Sequence, residues 1–160
     1  MSAIYYSVNQ IVYTGGHDGT LIAWNFETGY KKHSMHENDP TCTSKDHLMD
    51  GKSVDQLLIL DNRPNPKLVS MSADQWLRFW NINELGDQSP TFKFWCKHPE
   101  DDGLTAIATT KDNDLLITAD TSGQMKLWDI SEVDLDNQDT SNFFLERYFI
   151  IAHRATINTI

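Results

Sequence analysis

Three kinds of side chain that can form one hydrogen-bonded cluster recur at fixed spacing in this chain of 160 residues. Each copy ends on a tryptophan, and a serine or threonine stands ten residues before it: Thr14 before Trp24, Ser70 before Trp80, and Thr118 before Trp128. An indole N–H can donate to a hydroxyl, and buried polar groups must find such partners. The chemistry that this pattern predicts is structural hydrogen bonding.

A carboxylate accompanies the first two copies but not the third. Asp18 and Asp74 each stand six residues before their tryptophan, whereas Ser122 occupies that position in the third copy. Without a carboxylate, we expect the third cluster to lose a charge-assisted hydrogen bond, which contributes about 1.5 to 3 kcal/mol when buried. Asp120 lies two residues earlier and could replace it only if the turn changed.

Other patterns that could bind a metal or a phosphate are weaker. His33, His36, Cys42 and His47 are closely spaced, but no paired cysteine motif accompanies them, so a solvated loop is the better interpretation. A calcium loop starting at Asp134 lacks the required glycine at its sixth position and the glutamate at its twelfth. The chain also lacks a phosphate-binding glycine loop and a nucleophile elbow, so we expect no metal, no cofactor and no catalytic site.

The elements that must position these groups are short strands. Runs of β-forming residues separated by polar turns predict twelve strands, at residues 3–6, 11–14, 21–24, 30–35, 53–60, 67–71, 76–81, 91–95, 104–109, 115–119, 124–130 and 143–151. The runs 57–60 and 115–117 are apolar throughout, which is typical of sheets that are covered on both faces.

The segment 69–81 resembles the signature of the WD-repeat family, and 14–25 and 118–129 are similar to it. The resemblance implies an all-β fold: a partial β-propeller of about three four-stranded antiparallel blades plus the start of a fourth. It also implies that an upstream histidine joins each cluster, and His47, His98 and His153 stand at these positions. Lys97 replaces the glycine that commonly precedes this histidine in the family.

The resulting organisation is a row of blades with two insertions. We assign residues 1–35 to blade one, 36–53 to an insertion, 54–96 to blade two, 97–151 to blade three, and 152–160 to the start of a further blade. The acidic stretch 131–142 within blade three is expected to be a solvated linker. A propeller usually has 4 to 8 blades, so this chain is expected to be a fragment or to be completed by another chain or segment.

Composition limits the kinds of partner. The net charge of −10 argues against nucleic acid and anionic membranes, which need clustered lysine and arginine. Two cysteines provide no disulfide framework, and no stretch is typical of a signal peptide or membrane span, so a cytoplasmic location is expected.

The WD-repeat resemblance implies a non-catalytic scaffold that binds other proteins. Trp76, Phe94 and Trp95 are candidate partner contacts, because aromatic side chains dominate interface energetics; packing against the next blade is the alternative role. The segments 127–131 and 151–158 look like those of the large axonemal WD-repeat proteins of motile cilia, which implies a place among axonemal complexes on microtubule doublets. The alternatives are a cytosolic adaptor in trafficking or ubiquitin-ligase recognition, and part of a propeller enzyme.

Overall fold

The computed structural model describes residues 1–35, 53–72, 74–82, 90–99 and 103–160, without the side chains of residues 142, 148 and 149. Within these ranges the chain forms twelve β-strands and one 3-10 helix, Gln138–Phe143. The strands are β1 Ser2–Tyr6, β2 Ile11–Gly15, β3 Leu21–Asn25, β4 Lys31–Met35, β5 Val54–Leu60, β6 Lys67–Ser72, β7 Trp76–Asn81, β8 Phe92–Trp95, β9 Leu104–Thr109, β10 Leu115–Asp120, β11 Gln124–Asp129 and β12 Leu145–Ile151.

The described strands form three antiparallel sheets of four, and each strand pairs with its neighbours in sequence. We call these sheets blade one (β1–β4), blade two (β5–β8) and blade three (β9–β12). The predicted fold class, an all-β partial propeller of about three blades, is confirmed.

Blade two lies between the other two and is covered on both faces. One apolar cluster joins it to blade one through Tyr13 and Trp80, among others, and a second joins it to blade three through Phe79 and Trp128. All six residues of β6 are consequently buried. This double cover accounts for the apolar run 57–60 of β5, in which apolar and polar residues do not alternate.

The segment 152–160 contacts blade three in the way that blade two contacts blade one. The N–H of Val54, at the start of blade two, donates to the carbonyl of Gly16, eight residues before Trp24. The N–H of Ile157 likewise donates to the carbonyl of Asp120, eight residues before Trp128. Ile157 is buried, although the segment has no strand of its own beyond Ile151.

The acidic segment 131–142 corrects one prediction, because it is not a solvated linker. Val133 and Leu135 are buried in the cluster between blades two and three. The Asp136 carboxylate accepts hydrogen bonds from the fully buried Lys67 and from Asn65 of blade two. The side-chain amide of Gln138 bonds both the N–H and the C=O of Lys93. The segment therefore links blade three to blade two through apolar contacts and hydrogen bonds.

Some predictions fall on residues outside those that the structure describes. His36, Cys42 and His47 lie there, as does almost all of the predicted insertion 36–53. Within the described ranges no helix is both long enough and apolar enough to span a membrane.

Candidate functional site

The indole and hydroxyl of each repeat are joined by a hydrogen bond in all three blades. The indole Nε1 donates to the hydroxyl at 2.8 Å in Trp24–Thr14, at 2.9 Å in Trp80–Ser70 and at 3.0 Å in Trp128–Thr118. The hydroxyl lies on the second strand of the blade and the indole on the third, so each bond ties two neighbouring strands together.

In blade three this bond belongs to a larger buried network. His98 lies between β8 and β9, and its Nε2 is 2.9 Å from the Thr118 hydroxyl that also accepts from Trp128. Its Nδ1 is 2.7 Å from the carboxylate of Asp120. Thr118 and Asp120 are fully buried, and His98 is nearly so. The indole, the hydroxyl, the imidazole and the carboxylate are thus linked in that order by hydrogen bonds.

Asp120 corrects the prediction that the third cluster lacks a carboxylate. Its Oδ1 accepts from the backbone N–H groups of Ser122 and Gln124 and from the Ser122 hydroxyl, and its Oδ2 faces His98. The serine that replaces aspartate in the repeat therefore helps to hold an aspartate two residues earlier. The turn geometry that permits this could not be read from spacing alone.

Burial and hydrogen bonding have opposed effects on the two titrating groups. Burial lowers the pKa of His98 below its ordinary value, although Asp120 acts in the other direction. Burial would raise the pKa of Asp120, but the hydrogen bonds from Gln124, Ser122 and His98 outweigh it, and the pKa of this carboxyl is lowered. The network thus favours a neutral imidazole beside an ionised carboxylate.

The carboxylates of the other two repeats stabilise their own turns. Asp18 is exposed and accepts from the N–H and the hydroxyl of Thr20, which lowers its pKa. Asp74 accepts from two nitrogens of the buried Arg78 at 2.8 and 3.3 Å. The described contacts of Asp18 and Asp74 are to their own turns and, for Asp74, to Arg78 of β7. That these aspartates join the indole–hydroxyl pair stays a prediction, because His47 lies outside the described residues.

That His153 joins the cluster of a further repeat stays a prediction, and the described structure shows where its backbone lies. Its side chain is exposed, and its backbone lies against Gly123, where an added Cβ would come 2.2 Å from the His153 carbonyl oxygen. Gly123 has a φ of 88°, so this approach requires glycine both for space and for conformation. The contribution of His153 to the described contacts is its backbone.

The order carboxylate, imidazole, hydroxyl in blade three is that of a hydrolytic triad. Its burial argues against such chemistry, because a substrate could not reach the Thr118 hydroxyl, which already accepts the Trp128 indole N–H. A wider cleft of about 690 Å³ lies at the turns of blades two and three, lined by Asp61, Asn62, Thr110, Lys111 and Asp112. Among the described residues no group of three or more His, Cys, Asp or Glu side chains is placed to hold a metal ion.

Of the three candidate partner contacts, two face outward and one does not. Trp76 and Trp95 pair across β7 and β8 and are 37% and 43% exposed. Phe94 is 8% exposed, stacks on Phe144 and meets Trp128 edge to face. Successive strand residues point to opposite faces, so Phe94 belongs to the core and is withdrawn as a partner contact.

A comparison with protein families bears on one of the three repeats. Residues 89–129 match the family described as WD domain, G-beta repeat. This match supports the WD-repeat family. The matched segment contains His98, Thr118, Asp120 and Trp128, the four residues of the buried network.

Two solved structures share the fold of this chain. The computationally designed Ika8 protein matches with a TM-score of 0.62 at 18% identity, over 99% of this chain and 38% of its own. Raptor from Chaetomium thermophilum matches with a TM-score of 0.70 at 10% identity, over 99% of this chain and 13% of its own. At these identities the likeness concerns the fold alone, and this chain spans well under half of either relative.

Proposed function

We propose that this chain acts as a non-catalytic WD-repeat scaffold that holds other proteins through its blade edges. The observation that carries the proposal is the pair Trp76 and Trp95, two large aromatic side chains that remain exposed on neighbouring strands of one sheet. Exposed aromatic pairs of this kind are typical anchors of protein interfaces. Rings that packed against a neighbouring blade would be buried, so the exposure of both rings argues against that alternative.

The proposal includes a second kind of contact, with the chain or segment that completes the propeller. Tyr13, Leu21 and Ala23 of blade one are fully buried against blade two. The residues at the same distances from the tryptophan in blade three are apolar but only partly buried: Ile117, Met125 and Leu127. This face has the composition of an interface between blades, and a further blade would cover it.

Mass measurement in solution tests that second contact. We expect the isolated chain to self-associate, and we expect Leu127→Glu, which places a charge on this face, to shift it toward the monomer. A monodisperse monomer of the unsubstituted chain in light scattering, or self-association that Leu127→Glu leaves unchanged, would refute it.

For the location, we propose the axonemal complexes of motile cilia, on the resemblance of segments 127–131 and 151–158. The acidic balance of the chain disfavours direct docking on acidic tubulin tails, so contact through other axonemal proteins is favoured. A cytosolic adaptor in trafficking or ubiquitin-ligase recognition is the alternative. Imaging of the tagged protein in ciliated cells distinguishes the two.

Proximity labelling with the full chain tests the scaffold proposal itself. We expect a reproducible set of neighbouring proteins that shrinks when Trp76 and Trp95 are both changed to alanine. Tyr30→Ala is the matched control, because Tyr30 is 77% exposed on blade one. An unchanged set of neighbours in a folded double variant would remove the tryptophan pair from the account, and substrate turnover by the assembled propeller would replace the scaffold with an enzyme.

A further inference from the structure

Two sheet faces are open among the described residues, and the first belongs to blade one. Val12 pairs in register with Tyr5 of β1 and with Trp24 of β3, so these three side chains share one face of the sheet. The Phe26 ring lies against Tyr5, with 4.7 Å between the ring centres. We call Tyr5, Val12, Trp24 and Phe26 the tryptophan face of blade one. The apolar clusters that join the described blades include none of these four residues.

The equivalent faces of the other two blades are buried. The residues at the positions of Val12, Trp24 and Phe26 are Leu68, Trp80 and Ile82 in blade two, and Leu116, Trp128 and Ile130 in blade three. They are at most 3% exposed and lie in the clusters between blades, whereas Phe26 is 60% exposed and Trp24 is half-buried. Wherever a preceding blade is described, a tryptophan face thus packs on it.

The second open face belongs to blade three and points away from blade two. Ile117, Met125 and Leu127 are only partly buried there, at positions whose equivalents in blade one are fully buried against blade two. Together with Lys126 and the exposed Ile150 of β12 they line a depression of about 200 Å³. We call Ile117, Met125, Leu127 and Ile150 the outer face of blade three.

The segment 152–160 covers only one end of the outer face. Ile157 packs on Ala106 and Ala119, and its backbone takes the place on blade three that Val54 takes on blade one. Val54 begins β5, and the remainder of blade two still covers blade one beyond it. By the same relation, the position of Ile157 is compatible with a further blade on the outer face.

Both halves of a blade interface are therefore open on one chain. In each interface of the described structure, the tryptophan face of one blade packs on the opposite face of the blade before it. A second copy of this chain offers the half that each open face requires, and the residues of both faces are apolar. Contact between two copies elsewhere would bring surfaces of like net charge together, because the chain carries a charge of −10.

We propose that two copies of this chain associate head to tail, with the tryptophan face of blade one in each copy packed on the outer face of blade three in the other. The inference rests on the second contact proposed above and names the chain that makes it. Such a contact joins two different surfaces, and it forms a closed ring where the rotation between copies permits. Two copies supply six blades, which lies within the roughly 4 to 8 blades of closed propellers.

Sedimentation equilibrium of the full chain tests the proposal. We expect twice the mass of one chain, without further growth as the concentration rises. Phe26→Lys and Leu127→Glu each bury an unpaired charge in the contact, so each should raise the dissociation constant about a hundredfold or more. Tyr30→Lys is the matched control, because Tyr30 is an exposed aromatic residue of blade one that belongs to neither face, and it should change the constant less than about twofold.

A mixture of the two variants distinguishes this contact from other modes of association. The Phe26→Lys copy retains its outer face and the Leu127→Glu copy retains its tryptophan face, so an equimolar mixture should form a mixed dimer through one unmodified contact. Energy transfer between differently labelled copies measures it. If the outer face of blade three instead packed on itself, Phe26→Lys would dimerise alone and the mixture would yield no mixed dimer. Circular dichroism of each variant checks that the sheets are retained.

Several results would overturn the proposal. They are a monomeric unmodified chain, a Phe26→Lys variant that dimerises as tightly as the unmodified chain, and a mixture of folded variants that stays monomeric. If the mixture fails while Leu127→Glu still shifts the unmodified association toward the monomer, the pairing of faces is wrong and the second contact proposed above stands. If Leu127→Glu leaves the association unchanged, that second contact falls as well.

Discussion

Blades one and three flank blade two and use the same indole–hydroxyl bond in different surroundings. In blade one, Trp24 and Thr14 are half-buried, and Asp18 is exposed in a turn that it stabilises through Thr20. In blade three the indole–hydroxyl pair is buried and continues through an imidazole to a buried carboxylate. Because hydrogen bonds between buried and charged groups are costly to break, the same repeat should stabilise the two blades to very different extents.

The largest difference should come from removing one carboxylate in each blade. Asp120→Ala leaves the His98 imidazole and several N–H groups without their acceptor, and we expect the free energy of unfolding to fall by about 3 to 5 kcal/mol. Asp18→Ala, at an exposed turn, should cost less than about 1 kcal/mol. Urea denaturation of both variants measures the two losses in the free energy of unfolding. Equal losses would show that burial of the network does not matter.

A smaller effect that distinguishes blade three from blade one is the dependence of its stability on pH. Burial lowers the pKa of His98 below 6.5, so the unfolded chain takes up a proton at a higher pH than the folded one. The stability is therefore complete above about pH 6.5 and declines as the pH falls toward the folded pKa, with a slope of at most about 1.4 kcal/mol per pH unit from this group.

Replacement of the imidazole checks that assignment. His98→Gln should remove this part of the slope in urea titrations between about pH 5 and 7. His153→Gln, at an exposed side chain, is the control and should leave the slope unchanged. A slope that persists in His98→Gln would mean that another group causes it.

The sequence predicts the strands better than it predicts the site. The bounds of β7 at Trp76–Asn81 and of β9 at Leu104–Thr109 are those predicted, because β-forming runs with turn residues at both ends define them. The sequence predicts a strand throughout 143–151, but Phe143 ends the 3-10 helix and the strand begins at Leu145. The local sequence pattern thus predicts the strands better than it predicts the segments that lead into them.

The site was less predictable because it depends on which way side chains point. Asp120 reaches His98 only through the turn that Ser122 helps to form, and no spacing rule contains that turn. Two other signals were present in the sequence. Period-two alternation separates Trp95 from Phe94. Val133 and Leu135 are apolar residues within an otherwise polar segment, and both are buried.

The smallest expected effect concerns Lys97, the residue that precedes His98 of the blade three network. Lys97 has a φ of 51° and stands where the WD-repeat family commonly has glycine, which adopts this conformation without strain. Lys97→Gly should raise the free energy of unfolding by about 0.5 to 1 kcal/mol. The same change at Lys111, whose φ is not positive, should lower it. A loss of stability in Lys97→Gly would show that this side chain stabilises the fold more than its backbone strains it.

Amide hydrogen exchange, resolved by strand, tests most directly the claim that the buried network makes blade three the firmer of the two flanking blades. The account predicts slower exchange in β10, Leu115–Asp120, than in β2, Ile11–Gly15, the equivalent strand of blade one, and a loss of that difference in Asp120→Ala. Equal protection of the two strands in the unmodified chain, or faster exchange in β10, would contradict it.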